Sequence, residues 1–132
     1  MSYSVGDVLA ERTVHLTRES LVRYAGASGD FNPIHYRDDV AASVGLPGVL
    51  AHGMLTMGIA SSVVLAALDP GARIIDYGVR FTKPVVVDPV DGADLHVVAT
   101  VGVVDEASTR VDLTVKFGGA TVLVKAQLRI AS

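Results

Sequence analysis

The chain has 132 residues and a net charge of −3; half of its residues are hydrophobic, 19% are charged, and there is no cysteine. A chain of this length reads as one domain, residues 1–132, with a hydrophobic core of its own. No basic run concentrates the positive charge that nucleic-acid binding needs, and the lack of cysteine excludes disulfides, thiolate catalysis and cysteine-held metals.

In chain order, a short N-terminal strand is expected first. The opening stretch MSYSVGDVLAER lacks the charged-then-apolar pattern of a signal peptide. Thr17 is the expected cap of a first helix, with Glu19 in the first turn facing the helix dipole. Leu21, Tyr24, Ala25 and Ser28 recur there at helical spacing, and Gly29 ends the element. Asp38 is the expected cap of a second short helix, stopped by Gly45.

A third helix is expected from about Gly53 to Leu68, where Asp69-Pro70-Gly71 breaks it. It is apolar nearly all round, so burial on most sides is expected. Its apolar run, residues 54–68, is shorter than the roughly 20 residues needed to cross a bilayer. A cytoplasmic protein without membrane contact is the expectation.

Past Gly71 the period changes to two. Ile75, Tyr77, Val79 and Phe81 make the apolar face of one strand, and residues 94–104 read as a strand apolar on both faces. Val111, Leu113, Val115 and Phe117 alternate with polar residues in a third strand; Val122, Val124, Ala126, Leu128 and Ile130 do so in a fourth. Asp91-Gly92 and Gly118-Gly119 are turn signals. A helix that needs wide burial and a sheet with one apolar face suit each other. The expected fold is therefore α+β: a single hot-dog domain, a curved antiparallel sheet wrapped around a central apolar helix. Such a sheet keeps its edges, so edge-to-edge pairing of two subunits is expected as well.

Two stretches carry chemistry. In GDFNPIH, residues 29–35, Asp30 and His35 flank Asn32-Pro33. Proline fixes its own φ and pushes Asn32 toward extended geometry. The Asp30–His35 spacing does not align two side chains on a helix. In a bent loop they can converge, hold a water and move its proton. The same residues also suit a structural loop in which Asp30 caps a helix and His35 makes a fixed hydrogen bond; spacing does not choose between the two.

The second stretch, Ala51-His52-Gly53-Met54, opens the third helix. Helix N-termini offer unpaired N–H groups and the positive end of the dipole. Gly53 lets another group approach the backbone, which suits polarising a carbonyl oxygen. His52 reads as structural more readily than as a ligand. Asp30, His35 and His52 lack metal-ligand spacing, so no metal is expected. His15 and His96 fall in strand-like segments and carry no assignment. Gly58, Ala60, Ser61 and Ser62 read as packing residues.

Tyr24, Gly29, Asp30, Asn32, Pro33, Ile34 and His35, followed by AHGM at 51–54 and YGVRFTKPVVV at 77–87, resemble the MaoC-like hydratases and dehydratases. The likeness runs from about residue 4 to 130. It implies addition of water to a trans-2-enoyl thioester of coenzyme A or acyl carrier protein, giving an (R)-3-hydroxyacyl thioester, or the reverse dehydration. No cofactor is implied. Asp30 and His35 would be the water-binding acid–base pair and Gly53 the oxyanion donor, with Asn32, Met54 and Ser61 on the substrate side. A homodimer, or a heterodimer with a related hot-dog subunit, is implied as partner. One departure concerns the acidic residue the family often carries two positions after the histidine; here Arg37 stands there, with Asp38 and Asp39 following. Arg37 reads as a solvated arginine or as a contact for a phosphate of the carrier. A hot-dog acyl thioesterase is the enzymatic alternative, and a non-catalytic subunit lending only an acyl tunnel is another.

Overall fold

In the computed structural model, which describes residues 2–132, the period-two segments pair into one sheet. The elements are β1 (Val8–Leu16), α1 (Arg18–Ser28), a 3-10 turn (Pro33–His35), α2 (Asp38–Ser43), α3 (Gly53–Leu65), β2 (Ile74–Phe81), β3 (Ala93–Val104), β4 (Ser108–Phe117) and β5 (Ala120–Ala131). The strands lie in the order β1-β3-β4-β5-β2, and every neighbouring pair is antiparallel. Each of the four pairings contains a register shift. Such bulges bend and twist a strand, and the bent sheet closes over α3.

Alternation places Ala93, Leu95, Val97, Ala99 and Val101 of β3 inward, beside Val111, Leu113 and Val115 of β4. Ala60, Val63 and Val64 of α3 join the same hydrophobic cluster. Complete burial of one such aliphatic side chain stabilises by about 1.5–3 kcal/mol.

Local signals set the helix ends. Thr17 caps α1 in a reciprocal box with Ser20, and Gly29 closes it at φ 78° with its N–H on the Ala25 carbonyl. The expected capping role of Asp38 is corrected. Arg37 occupies the N-cap of α2 without a side-chain cap bond, and Asp38 is the first helical residue. Its carboxylate pairs with Arg18, at 2.9 and 3.2 Å. α3 stops at Leu65 rather than Leu68, because the N–H groups of Ala67 and Leu68 reach back only three residues, to Val64 and Leu65. That tightening is a common end for a helix.

The expected burial of α3 on most sides is also corrected for the single chain. Thr56, Ala60, Val63 and Val64 are buried, whereas Met54 and Leu65 are 59% and 46% exposed.

Two strands change phase against the simple alternation. In β2 a register shift lies between Ile74 and Asp76, so Ile74 packs on the core while Ile75 and Phe81 are exposed. In β5, Lys125 has φ 48°, and two residues stand where the ladder from Leu113 to Val115 leaves room for one. Val124 therefore turns outward, and Leu123 joins Val122 in burial. On the outer face of the β1–β3 pair, His15 Nδ1 lies 2.7 Å from Asp94 Oδ1 and His96 Nε2 lies 2.9 Å from Glu11 Oε1. Among the described residues, no helix is long and apolar enough to cross a membrane.

Leu95 is fully buried at the centre of this packing. Leu95→Ala is expected to lower stability by about 2–5 kcal/mol in urea unfolding, with the denaturant slope unchanged.

Candidate active site

The chain leaves the Gly29 cap directly into the Asp30–His35 bend. Ser28 Oγ accepts from the Asp30 N–H at 3.1 Å, Asp30 Oδ1 from the Asn32 N–H at 3.1 Å, and Asn32 Oδ1 from the Ile34 N–H at 3.2 Å. Each side chain ties down the backbone two residues on, as Ser, Asp and Asn do in turns. Asn32 sits at φ −57°, ψ 122°, the extended geometry that Pro33 requires. Pro33 then opens the 3-10 turn, where a missing N–H leaves nothing unpaired.

The Leu50 peptide holds the far end of the bend. Its N–H donates to the Ile34 carbonyl at 3.1 Å, and its carbonyl accepts from His35 Nδ1 at 2.7 Å. A carbonyl only accepts, so this bond fixes the neutral imidazole as its Nδ1–H tautomer. Nε2 is then the basic nitrogen, 3.9 Å from Asp30 Oδ2. That gap is too long for a direct hydrogen bond. A water about 2.8 Å from both atoms would see them roughly 90° apart, which suits a molecule bonding to two partners. His35 is nearly buried, at 10% side-chain exposure, while Asp30 keeps 51% and stays open to solvent.

Leu50 is itself anchored. The Ala51 N–H donates to the Val85 carbonyl and the Val87 N–H to the Val49 carbonyl, both at 2.9 Å. Val49, Val85 and Val87 are all buried. The segment after β2 thus returns to the start of α3 and braces it.

His52 follows as the N-cap of α3 and makes no cap bond with its side chain. It is 1% exposed. Its ring stacks on His35, with centroids 3.8 Å apart and planes at 21°, and meets Tyr24 edge-on at 4.8 Å. Nε2 donates to the Asp30 backbone carbonyl at 3.1 Å. Burial pushes the pKa of His52 below the ordinary histidine value; the bond to Asp30 opposes that shift and the neighbouring His35 adds to it. Nδ1 is buried with no hydrogen-bond partner.

Next, the Gly53 and Met54 N–H groups stand at the helix start with no acceptor among the described residues, while those of Leu55 and Thr56 turn to the His52 carbonyl. A side chain on Gly53 would meet the Phe81 ring at 3.0–3.3 Å, so glycine keeps this spot open. A cleft of about 350 Å³ opens here. His35, Gly53 and Thr56 lie on one side of it, and Phe81, Lys83 and Leu123 also line it.

The expected residues divide. His35 and Gly53 line this cleft, whereas Asp30 lies outside its lining, with Oδ2 3.9 Å from His35 Nε2. Asn32 belongs to the bend, where its oxygen is taken by the Ile34 N–H. Ser61 donates to the Gly58 carbonyl of its own helix at 2.9 Å, and neither Ser61 nor the exposed Met54 lines the cleft. Arg37 is held by Asp39 at 3.0 and 2.6 Å, and that hydrogen-bonded pairing raises its pKa. Sequence reasoning missed the inward turn of Leu123 and the cleft role of Phe81 and Lys83. Lys83 is the one residue of the lining with a permanent positive charge. Its signal was present in YGVRFTKPVVV, which carried family likeness but no side-chain role.

Asp30, His35 and His52 are metal-ligating types, with candidate atoms up to 4.8 Å apart. Two ligands about 2.1 Å from one ion lie at most about 4.2 Å apart. Stacked rings also aim their in-plane lone pairs side by side rather than at one point. The constellation fits proton transfer better than metal ligation.

Comparison with known proteins supplies the family. The family profile described as "MaoC like domain" matches residues 4–118. The chain is 40% identical over 82 residues to 3-hydroxyacyl-thioester dehydratase X of Mycobacterium tuberculosis, a match covering 60% of this chain and 27% of that protein. Among solved structures, a MaoC-like dehydratase superimposes with a TM-score of 0.90 at 35% identity, over 98% of this chain and 40% of the other. R-Hydratase PhaJ1 from Pseudomonas aeruginosa superimposes with a TM-score of 0.85 at 29% identity, over 98% of this chain and 82% of the other. With the family profile matched over residues 4–118, the chain belongs to the MaoC-like domain family.

Proposed function

We propose that the protein adds water to trans-2-enoyl thioesters, giving (R)-3-hydroxyacyl thioesters, and runs the reverse dehydration. One observation carries this reading. The bend leaves Asp30 Oδ2 and His35 Nε2 unbonded to each other and 3.9 Å apart, and His35 lines the same cleft as Gly53 at the start of α3.

Water is a weak nucleophile and C3 of the enoyl group a weak electrophile, so both need help. Asp30 and His35 hold the water between them. Asp30 takes its proton as the new C–O bond forms at C3, and His35 orients the oxygen. Negative charge moves to the thioester oxygen, where the Gly53 N–H and the positive end of α3 receive it. A proton delivered from the dyad to C2 completes the addition. The thioester itself draws electrons from the alkene, so no cofactor is required. The carrier is coenzyme A or acyl carrier protein, and the proposed location is the cytoplasm.

The apolar surface left open on α3 and β2 supports a dimer. Met54, Leu65, Ile75 and Phe81 are each between 46% and 59% exposed. A second copy, or a related subunit, would cover them. The thioesterase alternative has less support, because the similar proteins are named as dehydratases and hydratases.

Loss of the conjugated enoyl absorbance of crotonyl-CoA or a longer homologue tests the activity. Asp30→Asn and His35→Ala are each expected to lower kcat/KM by about 10²- to 10⁴-fold; hydration at the wild-type rate in either variant would remove the dyad. Release of free thiol from the same substrate would favour the thioesterase.

Lys83, at the cleft, is assigned to the anionic carrier. Lys83→Glu is expected to raise KM for an enoyl-CoA by about tenfold, the effect of about 1.4 kcal/mol of lost attraction. It should leave kcat unchanged, and KM for the uncharged pantetheine thioester should move little. Equal effects on both substrates would show that Lys83 does not read the phosphates.

A further inference from the structure

Nothing in the dyad chemistry uses His52, yet it is more deeply buried than either partner. We propose that His52 is a positioning residue for the dyad: it holds the Asp30 loop through its Nε2–H and the His35 ring through its face. The kinetic part of this proposal rests on the activity assigned above; the structural part does not.

Asp30 is half exposed, and its side-chain bond runs only to the Asn32 N–H inside the same bend. That local turn fixes the shape of the loop but not its place on the protein. The bond from His52 Nε2 to the Asp30 carbonyl, at 3.1 Å, ties Asp30 to the start of α3. His35 has a similar gap in its support. Its one bond, Nδ1 to Leu50, is a hinge about which the ring plane can still swing. The His52 face, 3.8 Å away and inclined by 21°, sets that plane. Tyr24 backs His52 from α1. One ring thus fixes the backbone of one dyad member and the orientation of the other, while lying outside the cleft lining itself.

The residue type follows from these two tasks. Phenylalanine would fill the space and stack but has no donor for Asp30. Glutamine would supply a donor near the position of Nε2 but no aromatic face. The ring must also stay neutral, since the groups facing it are His35 from the 3-10 turn, Asp30 from the loop and Tyr24 from α1. Its lowered pKa meets that need. The unfolded chain accepts the proton first as pH falls below about 6.5. Stability from the neutral ring is therefore full above that value and is lost as pH drops through the folded pKa.

The test compares His52→Phe and His52→Gln by enoyl-CoA kinetics and by hydrogen exchange at the amides of residues 32, 34 and 35. His52→Phe is expected to lose about 10- to 100-fold in kcat with KM within about twofold, the usual result of a small misplacement, and to exchange faster across the bend. His52→Gln is expected to restore the exchange protection but only part of kcat, since it returns the Asp30 bond without the face that orients His35, and to lose less stability than wild type on acidification below pH ~6.5. A phenylalanine variant with wild-type kcat and exchange would reduce His52 to a core filler. A glutamine variant as loose as the phenylalanine one would remove the Asp30 bond as the operative link. If His52→Phe does not fold, exchange in His52→Gln alone decides, because protection must then survive without the aromatic face. Should the wild type hydrate no enoyl thioester while the exchange pattern holds, the functional assignment fails and the positioning role stands.

Discussion

The peptide of Leu50 grips the Asp30–His35 bend from both directions. Its N–H takes the Ile34 carbonyl, and its own carbonyl takes His35 Nδ1. Those two bonds anchor the His35 end of the bend and fix the tautomer of the imidazole, and so which nitrogen is left free toward Asp30. Because the residues on either side, Val49 and Ala51, are laddered to the buried segment after β2, the clamp is tied to the core. The remaining features of the site depend on that geometry.

A common rule runs through the bend: each polar side chain is half employed in structure and half left for chemistry. Asp30 commits Oδ1 to the Asn32 N–H and keeps Oδ2. His35 commits Nδ1 and keeps Nε2. Backbone bonds to the committed atoms orient the others without asking the two side chains to bond each other, and direct pairing would leave no room for water. α3 contributes in the same way, with the Leu55 and Thr56 N–H groups turned to His52 and the Gly53 N–H left over.

Much of this was legible in the sequence where local rules decide the outcome. Thr17 and Gly29 bound α1 as expected, since capping is set within a few residues. Asn32-Pro33 announced a bend because proline restricts both residues. What escaped lies in long-range pairing. Nothing near Leu50 reveals that its peptide meets residues 34 and 35. The outward turn of Val124 depends on the bulge against β4, and with it the entry of Leu123 into the cleft. Composition suggested that α3 is buried on most sides, but in the single chain Met54 and Leu65 stay exposed. Asp38 looked like a cap because its type favours that place, yet Arg18 across the fold claims its carboxylate.

A bend that holds its acid and its base just too far apart to bond should carry a solvent molecule between them. A high-resolution crystal structure of the unliganded protein measures this directly. The expected result is an ordered water within about 3 Å of both Asp30 Oδ2 and His35 Nε2, with Nδ1 still on the Leu50 carbonyl. A carboxylate bonded straight to the imidazole, or a ring flipped so that Nε2 meets Leu50, would contradict it.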